Sequence, residues 1–214
     1  MSRARSEHDG AETRDALFSN GRRITVWYRI AEFQLISLKQ IAEFTLLQMP
    51  LYRKHSKLDI YVPGELLRQP LGFTSDVVLY VSPDNPGAKE LAAELEAAYS
   101  SIKTTDKLPD AAAGSSSADT PPTHFLLYLN HNTYLGESGQ RLAQILRKAR
   151  TTELPIVMAH ENDPGRHGCA FARFFSTTPP DLIEDGLYKA LALAAYPGVF
   201  WPVSVALVAT ALGA

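Results

Sequence analysis

A three-layer α/β/α sandwich on a mostly parallel sheet, preceded by a helical N-terminal extension, is the fold this sequence predicts. The prediction rests on three observations. Apolar runs of strand length stop abruptly at polar loops: residues 76–81 before Ser82, residues 124–129 before Asn130-His131-Asn132-Thr133, and residues 154–159 before His160-Glu161-Asn162-Asp163. Helical spacing fills the gap between the last two runs, with Leu142, Ile145, Leu146 and Ala149 on one face and Arg141, Arg147, Lys148 and Arg150 on the other. Finally, strand, helix and strand in that order form a right-handed crossover unit, which makes the two strands parallel. In such sheets the loops at the carboxyl ends of the strands carry function.

The 214 residues are 45% apolar and 21% charged, an ordinary globular composition for one domain with an appended segment. A formal charge of −2 argues against nucleic acid as a partner. Cys169 is the only cysteine, so no internal disulfide forms and a cytoplasmic setting is expected. Residues 1–9 have no apolar core and do not read as a secretory signal. The most apolar stretch, residues 187–214, is broken by Pro197-Gly198 and Pro202 and carries Lys189, so it is expected in the core and not across a membrane. A larger, membrane-attached parent protein is compatible with all of these features.

In chain order, residues 1–23 are charged, small and aperiodic, and are expected to form a disordered lead. Residues 24–73 form the helical extension, expected to pack on the core. Within it Phe33, Leu35, Ile36, Leu38, Ile41, Ala42, Phe44, Leu46 and Leu47 fill most of a helix, Lys39 and Glu43 pair on its polar side, and Met49-Pro50 ends it. A helix this apolar must be covered by its own domain or by a partner. Residues 58–62 read as a short strand or extended segment, and residues 65–71 as a helical turn.

The α/β domain follows over residues 74–214, with residues 76–81 near the centre of the sheet. The turn at residues 82–87 offers polar caps to a helix over 88–99, with Leu91, Leu95 and Ala98 inward. Residues 102–105 suit a brief edge strand, and residues 106–123, rich in Ala, Ser and Pro, a flexible surface loop. Thr178-Pro-Pro-Asp181 suits a helix start with a capping Thr. That helix is expected to carry Leu182, Ile183, Leu187, Ala190, Leu191 and Ala194. Residues 199–201 read as the last strand and residues 203–212 as a closing helix.

Candidate chemistry collects at the strand ends. The loop at 82–87 lies between a strand and a helix start, where backbone N–H groups favour an anion, but it lacks the glycine and lysine fingerprints of phosphate loops. Asp, Asn and Pro also set turns without any ligand. His160, Glu161, Asp163, His167 and Cys169 are metal-ligating types within ten residues, at a spacing that matches no closed zinc site. The glycines around Ser138 do not make a nucleophile elbow, and Cys169 beside His167 in sequence does not by itself make a thiolate–base pair. Ser82, Asp84, Asn85, Asn130, Asn132 and Glu161 are expected around one cleft.

Together these stretches resemble the TIR (Toll/interleukin-1 receptor) domain over residues 75–196. Ser75-Asp-Val-Val-Leu-Tyr-Val-Ser82 looks like the family's first-strand box. Tyr128-Leu-Asn-His-Asn-Thr-Tyr-Leu135 looks like its later strand and Asn-Tyr loop, and Leu154-Pro-Ile-Val-Met158 like the strand after that. Residues 22–73 resemble an extension found in TIR-like modules of large protist and algal proteins. The resemblance implies a flavodoxin-like sheet. It adds Tyr134 and Gln144 to a ligand-binding set of Ser82, Asp84, Asn85, Asn130 and Asn132.

The chain departs from the family in having no Pro-Gly loop between the first helix and His124. Gln144 also stands where the NAD-cleaving members carry glutamate, and a neutral amide cannot replace a carboxylate beside a developing oxocarbenium ion. The implied function is a signalling or scaffold module that self-associates or docks a protein partner without catalysis. One alternative is an NAD or other nucleotide hydrolase with Glu137 or Glu161 as displaced carboxylate. The other is a non-catalytic sensor that binds a nucleotide through the 82–87 loop.

Overall fold

A computed structural model describes residues 24–108 and 121–214. The expected disordered lead, and residues 109–120 of the expected flexible loop, lie outside the described residues. The chain divides into two compact units, Met1–Glu65 and Leu66–Ala214.

In the first unit helix α1, Ala31–Leu47, forms where the apolar spacing predicts it. Phe33 and Ser37 are buried. The Ser37 hydroxyl donates to Val26 O at 2.6 Å and so ties the segment before the helix to its first turns. Leu38, Ile41 and Phe44 remain exposed. The expected Lys39–Glu43 pair does not form. Lys39 Nζ lies 2.7 Å from Glu65 Oε2, while Glu43 accepts from Leu58 N at 2.9 Å and Glu65 from Val62 N at 2.6 Å. The reason is backbone satisfaction: residues 58–62 pair with no strand, and the N–H groups of Leu58 and Val62 take side-chain carboxylates.

The second unit is built on a five-stranded, all-parallel sheet: β1 Val77–Val81, β2 Ile102–Thr105, β3 His124–Leu129, β4 Ile156–Glu161 and β5 Leu193–Ala195. Its order is β2-β1-β3-β4-β5. Residues 76–81 thus lie near the centre, beside the middle strand. β2 pairs on the outer side of β1, the chain then reverses direction across the sheet, and β3 takes the middle.

Strand alternation sends Val77, Leu79, Val81, Leu126, Tyr128, Val157 and Ala159 to one face, under α2 (Ala88–Ala98) and α6 (Trp201–Ala211). Tyr80, Phe125, Leu127, Leu129 and Met158 point to the other, under α3 (Gly136–Thr151) and the short helices α4 (Phe174–Thr177) and α5 (Pro180–Glu184). Both faces are covered, as a parallel sheet requires. Each fully buried leucine or phenylalanine contributes about 2 kcal/mol to that core.

Some local expectations fail. Ala98 is exposed and Ala92 is buried in its place. The polar loop does not cap α2: its N-cap is Gly87 at φ 83°, which has no side chain to offer. Nor does Thr178 cap α5, whose N-cap is Pro179; the Thr178 hydroxyl sits 2.6 Å from that of Tyr188.

The long helix expected after residue 178 is also broken. Gly186 adopts φ 82° and ends α5, a single 3-10 turn follows at Leu187–Lys189, and Leu193–Ala195 becomes β5. Residues expected as the last strand form instead the 3-10 turn Gly198–Phe200 and the first residue of α6. The edge at Ala159–Glu161 decides this, because pairing with it satisfies the backbone of 193–195 where a helix would leave that edge open.

Candidate functional site

The strand order 2-1-3-4-5 places a topological switch point between β1 and β3, since the chain leaves the two in opposite directions. In open parallel sheets a ligand crevice lies there, outside the carboxyl ends of the strands. The loops flanking it are residues 82–87 after β1 and 130–135 after β3, two of the three that sequence marks as polar.

Side chains of the two loops bond across this point. Asn85 Nδ2 donates to Tyr128 O at 2.7 Å, and Tyr128 N donates to Asn85 Oδ1 at 2.8 Å. The side-chain amide thus copies a backbone partner and continues the β1–β3 pairing one step past the strand. Asn130 Nδ2 donates to Pro86 O at 2.8 Å, and its Oδ1 accepts from Asn132 N at 2.9 Å. Thr133 Oγ1 accepts from Asn130 N at 2.9 Å and donates to Tyr128 O at 3.0 Å. Ser82 Oγ accepts from Asp84 N at 3.2 Å. Asp84 lies 2.8 Å from Arg141 on α3. Ser82, Asn85, Asn130 and Thr133 are all buried.

Two glycines permit this closeness. A Cβ on Gly87 would enter the Tyr128 ring, and one on Gly139 would overlap the Tyr134 backbone. Tyr134 itself takes φ 66°, a strained value for a tyrosine. Its hydroxyl is buried beside those of Tyr188 and Thr178, and burial, with Tyr188 next to it, pushes its pKa well up.

Glu161, at the end of β4, is fully buried. It accepts from the Tyr128 hydroxyl and, at 2.7 Å, from Asp163 N. Arg166 Nε stands 3.6 Å from it. The Arg166 guanidinium also lies 4.0 Å over the Trp201 ring and 3.4 Å from Glu94, which in turn accepts from Trp201 Nε1. Burial and the Glu161 carboxylate together drive the Tyr128 pKa far up, so this phenol remains a donor. The cluster pins the loop after β4 to α2 and α6.

Of the sequence-predicted residues, Ser82, Asn85, Asn130 and Asn132 come together, with Asp84 at their rim. Glu161 joins them only through Tyr128. Gln144 is exposed on α3 and makes no part of the crevice. The Glu137 side chain is 92% exposed, 3.8 Å from Arg141.

The metal-ligating types separate. His160 Nε2 donates to Cys169 O at 2.7 Å and packs edge-on to Phe171 and Phe174, and burial lowers its pKa. His167 is exposed. Burial raises the Cys169 thiol pKa, away from thiolate chemistry. Among the described residues no three His, Cys, Asp or Glu side chains form a metal site, and no helix is long and apolar enough to cross a membrane.

Sequence reasoning missed Tyr128 and Thr133 as members of these networks. Tyr128 carries one available signal, a hydroxyl near the end of an otherwise apolar strand. No protein-family profile, no curated protein and no solved structure matches this chain.

Proposed function

We infer that the chain is a TIR-like signalling or scaffold module that works in the cytoplasm by self-association or by docking a protein partner, without turning over a substrate. The observation that carries this reading is the internal use of the switch-point groups. Asn85, Asn130 and Thr133 spend their hydrogen-bonding capacity on backbone groups, and the Glu161 carboxylate is held by a phenol, a backbone N–H and a guanidinium. Groups engaged in this way hold loops in register; a catalytic carboxylate needs a face open to its substrate.

Helix α1 supplies the docking side of the reading. Leu38, Ile41 and Phe44 repeat at intervals of three along it and stay exposed, as does Trp27 just before it. Single exposed apolar residues are ordinary, but a stripe of them on a helix is a surface for another protein.

Sedimentation velocity across a micromolar-to-submillimolar range tests this. The expected result is a weight-average sedimentation coefficient that rises with concentration in the wild type and stays flat in the Ile41→Asp/Phe44→Asp variant. A wild type that stays monomeric over the whole range would rule out self-association.

A further inference from the structure

After α1 the chain of the first unit folds into consecutive hydrogen-bonded turns. Tyr52 N and Arg53 N both donate to Met49 O at 3.0 Å, and His55 N donates to Tyr52 O at 2.9 Å. The backbone is thus fixed, yet its side chains have almost no cover: of residues 49–57 only Tyr52 is not exposed. Leu51 is 75% exposed and Met49 45%. Arg53, Lys54 and Lys57 share the segment with them, and Arg53 donates to Gln48 O at 3.3 Å. Residues 44–58 contain no Asp or Glu. The flanking acids are Glu43, whose carboxylate accepts from Leu58 N at 2.9 Å, and Asp59. This basic, apolar projection belongs to a chain whose formal charge is −2.

We propose that residues 49–57 dock on an anionic lipid surface, with Met49 and Leu51 entering the headgroup layer and Arg53, Lys54 and Lys57 set against the lipid anions. Long basic side chains suit that boundary, because their carbon stems lie on apolar matter while the charge stays at headgroup level. Each such charge beside an anionic leaflet strengthens partitioning about fivefold. The remainder of the chain is net negative and is repelled, so this segment is the one turned towards the lipid. A protein partner fits less well, since lysine is depleted at protein interfaces and their apolar anchors fill pockets. A second copy of the same segment would bring like charges together. The segment includes none of Leu38, Ile41 and Phe44, so it is independent of the docking reading.

Co-sedimentation of the full chain with large vesicles is the test, using phosphatidylcholine alone and with about 30% phosphatidylserine in about 0.1 M NaCl. Half of the protein should sediment with the anionic vesicles below about 1 mM accessible lipid, and none with the neutral ones. Raising NaCl to about 0.5 M should release it. Lys54→Ala/Lys57→Ala should weaken partitioning by about tenfold or more, and Met49→Ser/Leu51→Ser by about tenfold. Lys89→Ala/Lys189→Ala, in the second unit, should leave it unchanged. Circular dichroism and urea midpoints check that each variant keeps its fold, which changes at exposed positions should not disturb. Absence of binding up to about 3 mM anionic lipid would overturn the proposal, as would equal binding to neutral vesicles. So would unchanged partitioning of the folded lysine variant. Full binding by the folded Met49→Ser/Leu51→Ser variant would overturn it too, because a purely electrostatic surface takes any polyanion, an acidic protein included.

Discussion

Replacing Asn85 with alanine strands two buried backbone groups at once, the N–H and the carbonyl of Tyr128. An unsatisfied buried group costs about 1–3 kcal/mol, so Asn85→Ala should lower stability by about 3 kcal/mol, read from the urea midpoint of the ligand-free protein. Asn85→Asp keeps the acceptor but sets a buried carboxylate oxygen against the Tyr128 carbonyl, and should cost at least as much. A loss under about 0.5 kcal/mol, the usual scale for surface positions, would mean that Asn85 does not brace the strands and is available to a ligand. Gly139→Ala makes a second residue-scale test. The added methyl meets Tyr134 backbone, which cannot rotate away, so the variant should lose about 3 kcal/mol or fail to fold. Sequence alone marks Asn85 and Asn130 as polar loop residues, equally suited to a ligand or a turn. Their role depends on partners 43 and 44 positions away, which no local pattern specifies.

At the scale of elements, β4 and the segment after it respond to pH through His160. Burial lowers the pKa of His160, and also that of His124 on β3, so the folded state holds the neutral imidazoles more strongly than the unfolded chain does. Stability from this source is complete above the unfolded histidine pKa of about 6.5 and is lost as pH falls below it towards the folded values. Denaturant midpoints should therefore drop between about pH 7.5 and about pH 5.5, above the range where exposed carboxylates titrate. His160→Gln should shrink that drop, since glutamine still has a donor for Cys169 O and carries no titrating proton. A midpoint that rises on acidification would contradict the assignment.

The elements read best from sequence are those whose periodicity agrees with their surroundings: β1, α2, β3, α3 and β4. β5 was not legible, because Leu193-Ala-Ala195 continues the helical spacing of Leu187 and Leu191 and has weak strand preference. Gly186 in the left-handed region and the open edge of β4 override that local pattern. The same limit explains Lys39, whose partner at Glu65 lies 26 positions away while Glu43 fits the one-turn rule.

For the whole molecule, the parallel sheet with a switch point between β1 and β3 is the scaffold on which many nucleotide sites are built, but here that point is braced from both sides by side-chain amides. On the function proposed above, the strand ends serve the fold and the association of the module, not catalysis. NAD turnover by the purified full chain, at concentrations high enough for self-association, tests it most directly, with Gln144→Glu assayed in parallel. Loss of nicotinamide builds positive charge on the ribose, and a well-placed charge there is worth several kcal/mol, about a thousandfold in rate. Gln144 points to solvent on α3, so restoring the carboxylate should restore nothing. Background rates are expected for both proteins. NAD cleavage above background by the wild type, or its appearance in Gln144→Glu, would contradict it.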